Sequence, residues 1–249
     1  MKKILLITAI ILIATLALGA AGFVIWANNA LGPMPEAEAA LQSNESVQVS
    51  QEEWIVFQPT SVNPTTGLII YPGGRVDPVS YAPLAQQIAG QGYLAVIVPM
   101  PLNLAVFGSE KAADVMSAYP QIQNWAVAGH SLGGSIAASF ADKHSAEVDG
   151  LVLWASYPAG SNNLSDQTLR AASISASNDG LSTPEDIIAS KPLLPAETGY
   201  LEIQGGNHAQ FGWYGDQPND GIATISRQEQ QDQIAAETLR LLASINPSN

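Results

Sequence analysis

A β-prone run, Trp125-Ala126-Val127-Ala128, leads directly into Gly129-His130-Ser131-Leu132-Gly133 and then into the small-residue stretch Gly134-Ser135-Ile136-Ala137-Ala138. A strand, a sharp turn and a helix in such close succession admit few folds. A side chain at 129 or 133 would strike the neighbouring strand or helix, so both positions require glycine. The serine is then strained at the apex of the turn and presented at a helix N-terminus. Backbone N–H groups and the helix dipole favour a developing negative charge there. With these flanks, the G-x-S-x-G pentapeptide makes Ser131 a candidate nucleophile.

Elements of alternating type surround this turn. Strands are predicted at 47–59 (a strand or hairpin), 67–71, 93–98, 125–128, 148–154, 171–176 and 200–204. Helices are predicted at 81–89, 109–118, 131–143, 184–190 and 226–245. The run Gly67-Leu68-Ile69-Ile70-Tyr71 is continuously apolar, as expected of a strand covered on both faces. The implied fold class is α/β: a mostly parallel, doubly wound sheet with helices on both faces.

The N-terminus carries a separate signal. Lys2 and Lys3 precede an uncharged apolar run over 4–27 that ends near Trp26. About 20 apolar residues span a bilayer as a helix, and tryptophan favours its interface. The run is longer than a signal-peptide core, and Asn28-Asn29-Ala30 is a weak cleavage site. The expected organisation is therefore a basic cytoplasmic stub (1–3), a transmembrane signal-anchor (4–27), a Pro/Glu/Ala/Gln/Ser tether (28–46) and a folded domain (47–249). Positive-inside placement puts that domain outside the cytoplasm, or secretes it if the segment is cleaved.

The chain has 249 residues and a net charge of −13, from 22 acidic against nine basic residues, which argues against nucleic acid as a partner. Cysteine is absent, excluding disulfides, thiolate zinc sites and a cysteine nucleophile. Only three histidines are present, and no metal cluster or cofactor motif is expected.

A serine nucleophile needs a base, and the base an orienting carboxylate. In open parallel sheets, reactive groups gather in loops at the carboxyl ends of the strands. His208, in Gly205-Gly206-Asn207-His208, follows the last predicted strand and is the candidate base. His130 adjoins the serine and points away from it, as a wall of the site. His144 follows the elbow helix, far from the strand ends. Asp179, in Ser177-Asn178-Asp179-Gly180 just past strand 171–176, is the candidate acid, ahead of Asp186 at a helix start. The chain order Ser131, Asp179, His208 is that of the serine α/β hydrolases. The oxyanion hole is expected from the backbone N–H of Leu132 together with that of Gly74 or Arg75, in Pro72-Gly73-Gly74-Arg75. Phe211, Trp213 and Tyr214, with Tyr157 and Phe107, are candidates for lining a substrate pocket. Only a short polar stretch separates strands 148–154 and 171–176, which suggests an open site without a helical lid.

With strand–Gly-His-Ser-Leu-Gly-Gly–helix, Asn-Asp-Gly and Gly-Gly-Asn-His in this order, the chain resembles the α/β-hydrolase superfamily over about residues 47–246. It looks most like the dienelactone-hydrolase-like group of membrane-anchored or secreted bacterial members. One departure is Tyr71-Pro72-Gly73-Gly74, where many relatives carry His-Gly. The resemblance implies hydrolysis of esters or amides without a cofactor. The expectation is a membrane-tethered, extracytoplasmic serine hydrolase acting on small carboxylic esters through an acyl-enzyme. The alternatives are an amidase, peptidase or acyltransferase working on cell-envelope material with the same triad, or a non-catalytic binding domain of the same fold.

Overall fold

A computed structural model describes residues 2–246; residues 247–249 of the expected domain and Met1 of the expected stub lie outside the described residues. In chain order the elements are α1 (Lys2–Asn28), α2 (Pro35–Ala39), β1 (Val47–Gln51), β2 (Ile55–Pro59), β3 (Thr66–Tyr71), α3 (Ala82–Ala89), β4 (Leu94–Ile97), α4 (Lys111–Ala118), β5 (Asn124–His130), α5 (Leu132–Lys143), β6 (Gly150–Trp154), β7 (Arg170–Ala176), α6 (Pro184–Ser190), β8 (Gly199–Ile203) and α7 (Arg227–Ile245). Eight strands form one sheet in the order β1-β2-β4-β3-β5-β6-β7-β8. β1, β2 and β4 pair antiparallel, and every pair from β4 to β8 is parallel. The predicted strand or hairpin at 47–59 is the hairpin β1–β2.

Alternate residues of the central strands sort onto two faces, because successive side chains in a strand point to opposite sides. Leu68, Ile70, Ala128 and Trp154 join α3 and α7 through Leu84, Ile88, Ile234 and Leu242 in one core. Ile69, Tyr71, Val127 and Leu153 join α4 and α5 through Val115, Ala137 and Phe140 in the other. Both faces are thus covered, which is why these strands read as continuous apolar runs. The chain order through this sheet brings the ends of β3, β5, β7 and β8 to one edge.

α1 is long and apolar enough to cross a membrane over Leu5–Asn28; the protein leaves its most apolar 18-residue window uncovered and buries Ala27 near its end. The segment after it differs from the expected tether. Leu31 forms a parallel bridge with Val76: its N–H donates to the Arg75 carbonyl at 2.7 Å, and its carbonyl accepts from Asp77 N–H at 2.9 Å. Met34 N–H donates to the Trp213 carbonyl at 2.7 Å, and Ala37 of α2 is fully buried. Gln86 Nε2 donates to the carbonyls of Ala40 and Gln42, both at 3.0 Å. Residues 28–46 lack a hydrophobic period because they dock mainly by backbone hydrogen bonds and small side chains.

Candidate active site

β5 runs into Ser131 and α5 leaves from it. Ser131 has φ 52° and ψ −125°, a strained region for a residue with a side chain. Its N–H donates to the Trp154 carbonyl at 3.0 Å, while its own carbonyl accepts from the Ser156 hydroxyl at 2.6 Å. These bonds hold the strained backbone in place. A methyl group on Gly129 would lie 2.5 Å from Gly133 O and Gly134 N, so the turn closes only with glycine.

The candidate acid and base meet at the same edge. Asp179 follows β7 and His208 follows β8. Asp179 Oδ2 accepts from His208 Nδ1–H at 2.8 Å, with both side chains fully buried. Asp179 Oδ1 accepts two backbone N–H bonds, from Leu181 at 2.8 Å and Ser182 at 2.7 Å. A carboxylate so held fixes the imidazole with its proton on Nδ1, which leaves Nε2 as an acceptor. His208 Nε2 is buried and has no hydrogen-bond partner among the described residues, so no bond joins it to the Ser131 hydroxyl. Such catalytic bonds often tighten only when substrate is present. The His208 ring lies 4.5 Å, centroid to centroid, from that of His130, the residue before the serine. Asp186, the weaker candidate acid, instead caps α6 through the Thr183 N–H and hydroxyl.

The loop expected to contribute to an oxyanion hole separates its three amides. Gly73 N–H donates to the Tyr81 hydroxyl at 2.9 Å. Arg75 N–H donates to the Asn103 carbonyl at 2.7 Å, which removes Arg75 as the expected donor. Gly74 N–H has no partner among the described residues, and a methyl on Gly74 would meet the Leu132 side chain at 3.1 Å. Leu132, the first residue of α5, lacks an intrahelical acceptor for its N–H, as helix starts do.

His130 and the aromatic residues take different places from those expected. His130 is fully buried, and its Nδ1 is bonded to the Tyr81 hydroxyl at 2.8 Å. Burial, and then the neighbouring His208, hold His130 well below the usual histidine range. Burial likewise pushes the Tyr81 hydroxyl up. Neutral His130 and Tyr81 thus form a strut that fixes Gly73, and His130 does not line the cavity beside Ser131. Phe211 stacks on His130 with ring planes 11° apart. Phe211, Trp213 and Tyr214 are buried, the first and last within the α3–α7 core, and none lines the cavity beside Ser131. They face inward because Arg227 ties the backbone of their loop, donating to the carbonyls of Ala209, Gly212 and Gly215.

The cavity beside Ser131 has a volume of about 240 Å³ and is lined by Leu132, Ser135, Ser156, Tyr157, Leu181 and Ser182. Of the expected pocket aromatics only Tyr157 is there. No helix crosses between β6 and β7, in keeping with the open site expected from the short connection.

Asp220 was not singled out by the sequence reading. Its Oδ1 accepts N–H bonds from Gly180 at 3.2 Å, His208 at 3.1 Å and Gly221 at 2.8 Å, and its Oδ2 accepts from Ala209 at 2.8 Å. One carboxylate therefore ties the acid loop to the base loop. The signal was a repeat: Asn219-Asp220-Gly221 copies Asn178-Asp179-Gly180, and the two turns interlock. A methyl on Gly180 would lie 2.5 Å from the Asn219 carbonyl oxygen, and one on Gly221 would strike that of Asn178. Asp220→Ala is expected to lower kcat/KM by about 10- to 100-fold through misplacement of His208, with Asp220→Asn recovering part of the loss. Steady-state kinetics on a p-nitrophenyl ester check this, and a variant within twofold of the parent removes Asp220 from the positioning scheme.

Comparison with known proteins bears on the fold and the family. A search of curated sequences finds no match. Among solved structures, the esterase Est2 of the Planctomycetes species Thermogutta terrifontis is similar, with TM-score 0.55, 13% identity, and 82% of this chain and 95% of that chain covered. Its propionate-bound form aligns equally well, at TM-score 0.55 and 14% identity over 82% of this chain and 97% of that one. A predicted CIB-like hydrolase from Thermoplasma acidophilum aligns with TM-score 0.59 and 12% identity over 78% of this chain and 99% of that chain. At these identities the likeness is one of fold. The model of the alpha/beta hydrolase family matches residues 67–232, more than half of the chain and the whole of the site, and the chain belongs to that family.

Proposed function

We propose that this hydrolase cleaves carboxylic esters with Ser131 as nucleophile, His208 as general base and acid, and Asp179 as orienting carboxylate. The observation that carries the reading is the buried Asp179–His208 pair, locked at Nδ1 and unpartnered at Nε2, with the His208 ring packed on His130, the residue before a strained serine. The Ser131 hydroxyl attacks the ester carbonyl carbon as His208 Nε2 takes its proton. The amides of Leu132 and Gly74 hold the tetrahedral oxyanion. Collapse breaks the bond to the alcohol, which leaves with the proton from His208. A water, deprotonated by the same nitrogen, then attacks the acyl-enzyme; collapse returns that proton to Ser131 and releases the carboxylic acid.

The small serine-rich cavity suits a short or polar group on one side of the ester. The dienelactone-hydrolase-like grouping belongs to this proposal. So does the placement of α1 as a signal-anchor with the catalytic domain outside the cytoplasm, supported by Lys2-Lys3 and the apolar span. A fluorophosphonate probe followed by peptide mapping tests the assignment. The label is expected on the peptide containing Ser131, with p-nitrophenyl acetate turned over much faster than the matched anilide. Label on another residue overturns the triad; faster anilide cleavage makes the protein an amidase.

A further inference from the structure

We infer that the loop over residues 101–107 dips into the bilayer interface beside α1, so that the catalytic mouth draws its ester from the membrane. This rests on the proposed hydrolase activity and on α1 as a membrane span. The last turn of α1 is docked on the mouth itself. Arg75 of the oxyanion loop lies over the Trp26 ring, 4.5 Å from its centroid, and its guanidinium donates to the Asn29 carbonyl at 2.6 Å. Asn103 Nδ2 donates to the Ala27 carbonyl at 3.3 Å, and the Asn103 carbonyl holds the Arg75 N–H. Arg75, Leu102 and Asn103 all have positive φ, so two strained loops cross where the helix ends. The same two loops reach the residue after Ser131, since a methyl on Gly74 would contact the side chains of both Leu132 and Leu104.

Depth follows from one ring contact. Phe107 packs edge-on against Phe23, centroids 6.2 Å apart. Phe23 lies about one helical turn, roughly 4.5 Å of rise, on the membrane side of Trp26. If tryptophan marks the interface, Phe107 lies at or below it. Val106 and Phe107 are 47% and 53% exposed, next to helix side chains that the protein leaves uncovered. The occupant that is continuous with α1 and covers both is lipid. Because the cavity beside Ser131 is small and polar, the half of the ester that enters it is short, and the other half remains in the bilayer. The substrate class is a membrane-resident amphiphile carrying a short acyl or short alkoxy group.

The chain contains no cysteine, so single thiols can be introduced and labelled cleanly. The full-length protein is reconstituted in palmitoyl-oleoyl phosphatidylcholine vesicles, with an environment-sensitive fluorophore on Phe107→Cys, on Leu16→Cys within α1, or on Val62→Cys at the opposite end of β3. Shallow doxyl lipids are expected to quench the probe at 107 and leave the probe at 62 unaffected, while deep doxyl lipids quench the probe at 16. In the kinetic arm, Val106→Ser/Phe107→Ser is expected to slow acetate release from 1,2-dioleoyl-3-acetylglycerol in the vesicles by about tenfold. Hydrolysis of p-nitrophenyl acetate by the same variant stays unchanged, since neither residue lines the cavity. An unquenched probe at 107 with a quenched probe at 16 overturns the dipping loop alone. No quenching at 16 overturns the span and the inference with it, and no turnover of either acetate overturns the hydrolase reading.

Discussion

Asp179→Asn is expected to lower kcat/KM on p-nitrophenyl acetate by about ten-thousand-fold while leaving the fold intact, the size of loss known for the equivalent change in a serine-protease triad. The reason lies in how the side chain is held. Oδ1 accepts the N–H groups of Leu181 and Ser182, and Oδ2 accepts His208 Nδ1–H. An asparagine fills the same space, and two backbone donors require its oxygen on the Oδ1 side. Its NH₂ group must then face His208. Turning the amide over would set NH₂ against both donors, at a cost of about 1–3 kcal/mol for each buried group left unsatisfied. With a donor at Nδ1, the imidazole carries its proton on Nε2 and cannot accept one from serine. Steady-state kinetics with Ser131→Ala as the floor, beside a thermal melt, check the outcome. Activity within tenfold of the parent would mean that another carboxylate orients His208 or that another residue is the base.

The contrast between Asp179 and Arg75 shows what a sequence can disclose about such a site. Elements with strong local patterns were legible: helix 184–190 begins and ends where predicted, because the Thr183–Asp186 capping box and Pro184 are all local. The elbow was legible because Gly129 is required by contacts within the same short stretch, with Gly133 and Gly134, although the atoms that require Gly133 belong to Tyr71 and Pro72 at the end of β3. That Asp179 and His208 meet followed from their places after strands, since a parallel sheet brings such loops to one edge. The oxyanion donor was not legible. Whether Gly73, Gly74 or Arg75 offers a free amide is decided by the Tyr81 hydroxyl and the Asn103 carbonyl, which arrive from other segments. Phe211, Trp213 and Tyr214 pointed to a pocket by proximity to His208, yet their direction depends on Arg227 of α7. Residues 28–46 resembled a tether because backbone hydrogen bonds leave no trace in composition. Each miss concerns a long-range polar contact, and each success a local pattern or a rule of topology.

Gly133→Ala is expected to destabilise the protein by roughly 4 kcal/mol or more, in the exceptional range for one substitution. For a domain of this size that corresponds to a fall in Tm of about 8–16 °C. The added methyl would collide with the carbonyl oxygens of Tyr71 and Pro72 and lie 2.8 Å from the Pro72 carbonyl carbon. All three are backbone atoms, so no side-chain rotation relieves the contact. Tyr71 ends β3, which is paired on both sides, with β4 and with β5. Either α5 lifts from the sheet or the end of β3 yields. The second route displaces Gly73 and Gly74 and separates the Gly74 amide from that of Leu132. Activity should therefore fall even in protein that remains folded. Gly90→Ala is the matched control: Gly90 has φ −60°, and the nearest atoms to an added methyl are 3.4 Å away. It should leave activity unchanged and raise stability slightly, by about 0.4–1 kcal/mol. Differential scanning calorimetry of both variants, read beside their ester turnover, separates loss of fold from loss of the oxyanion site. A Gly133→Ala protein that melts within a degree or two of the parent and turns over ester normally would show that α5 and the end of β3 can part without consequence. The close contact between α5 and the end of β3 would then have no catalytic role.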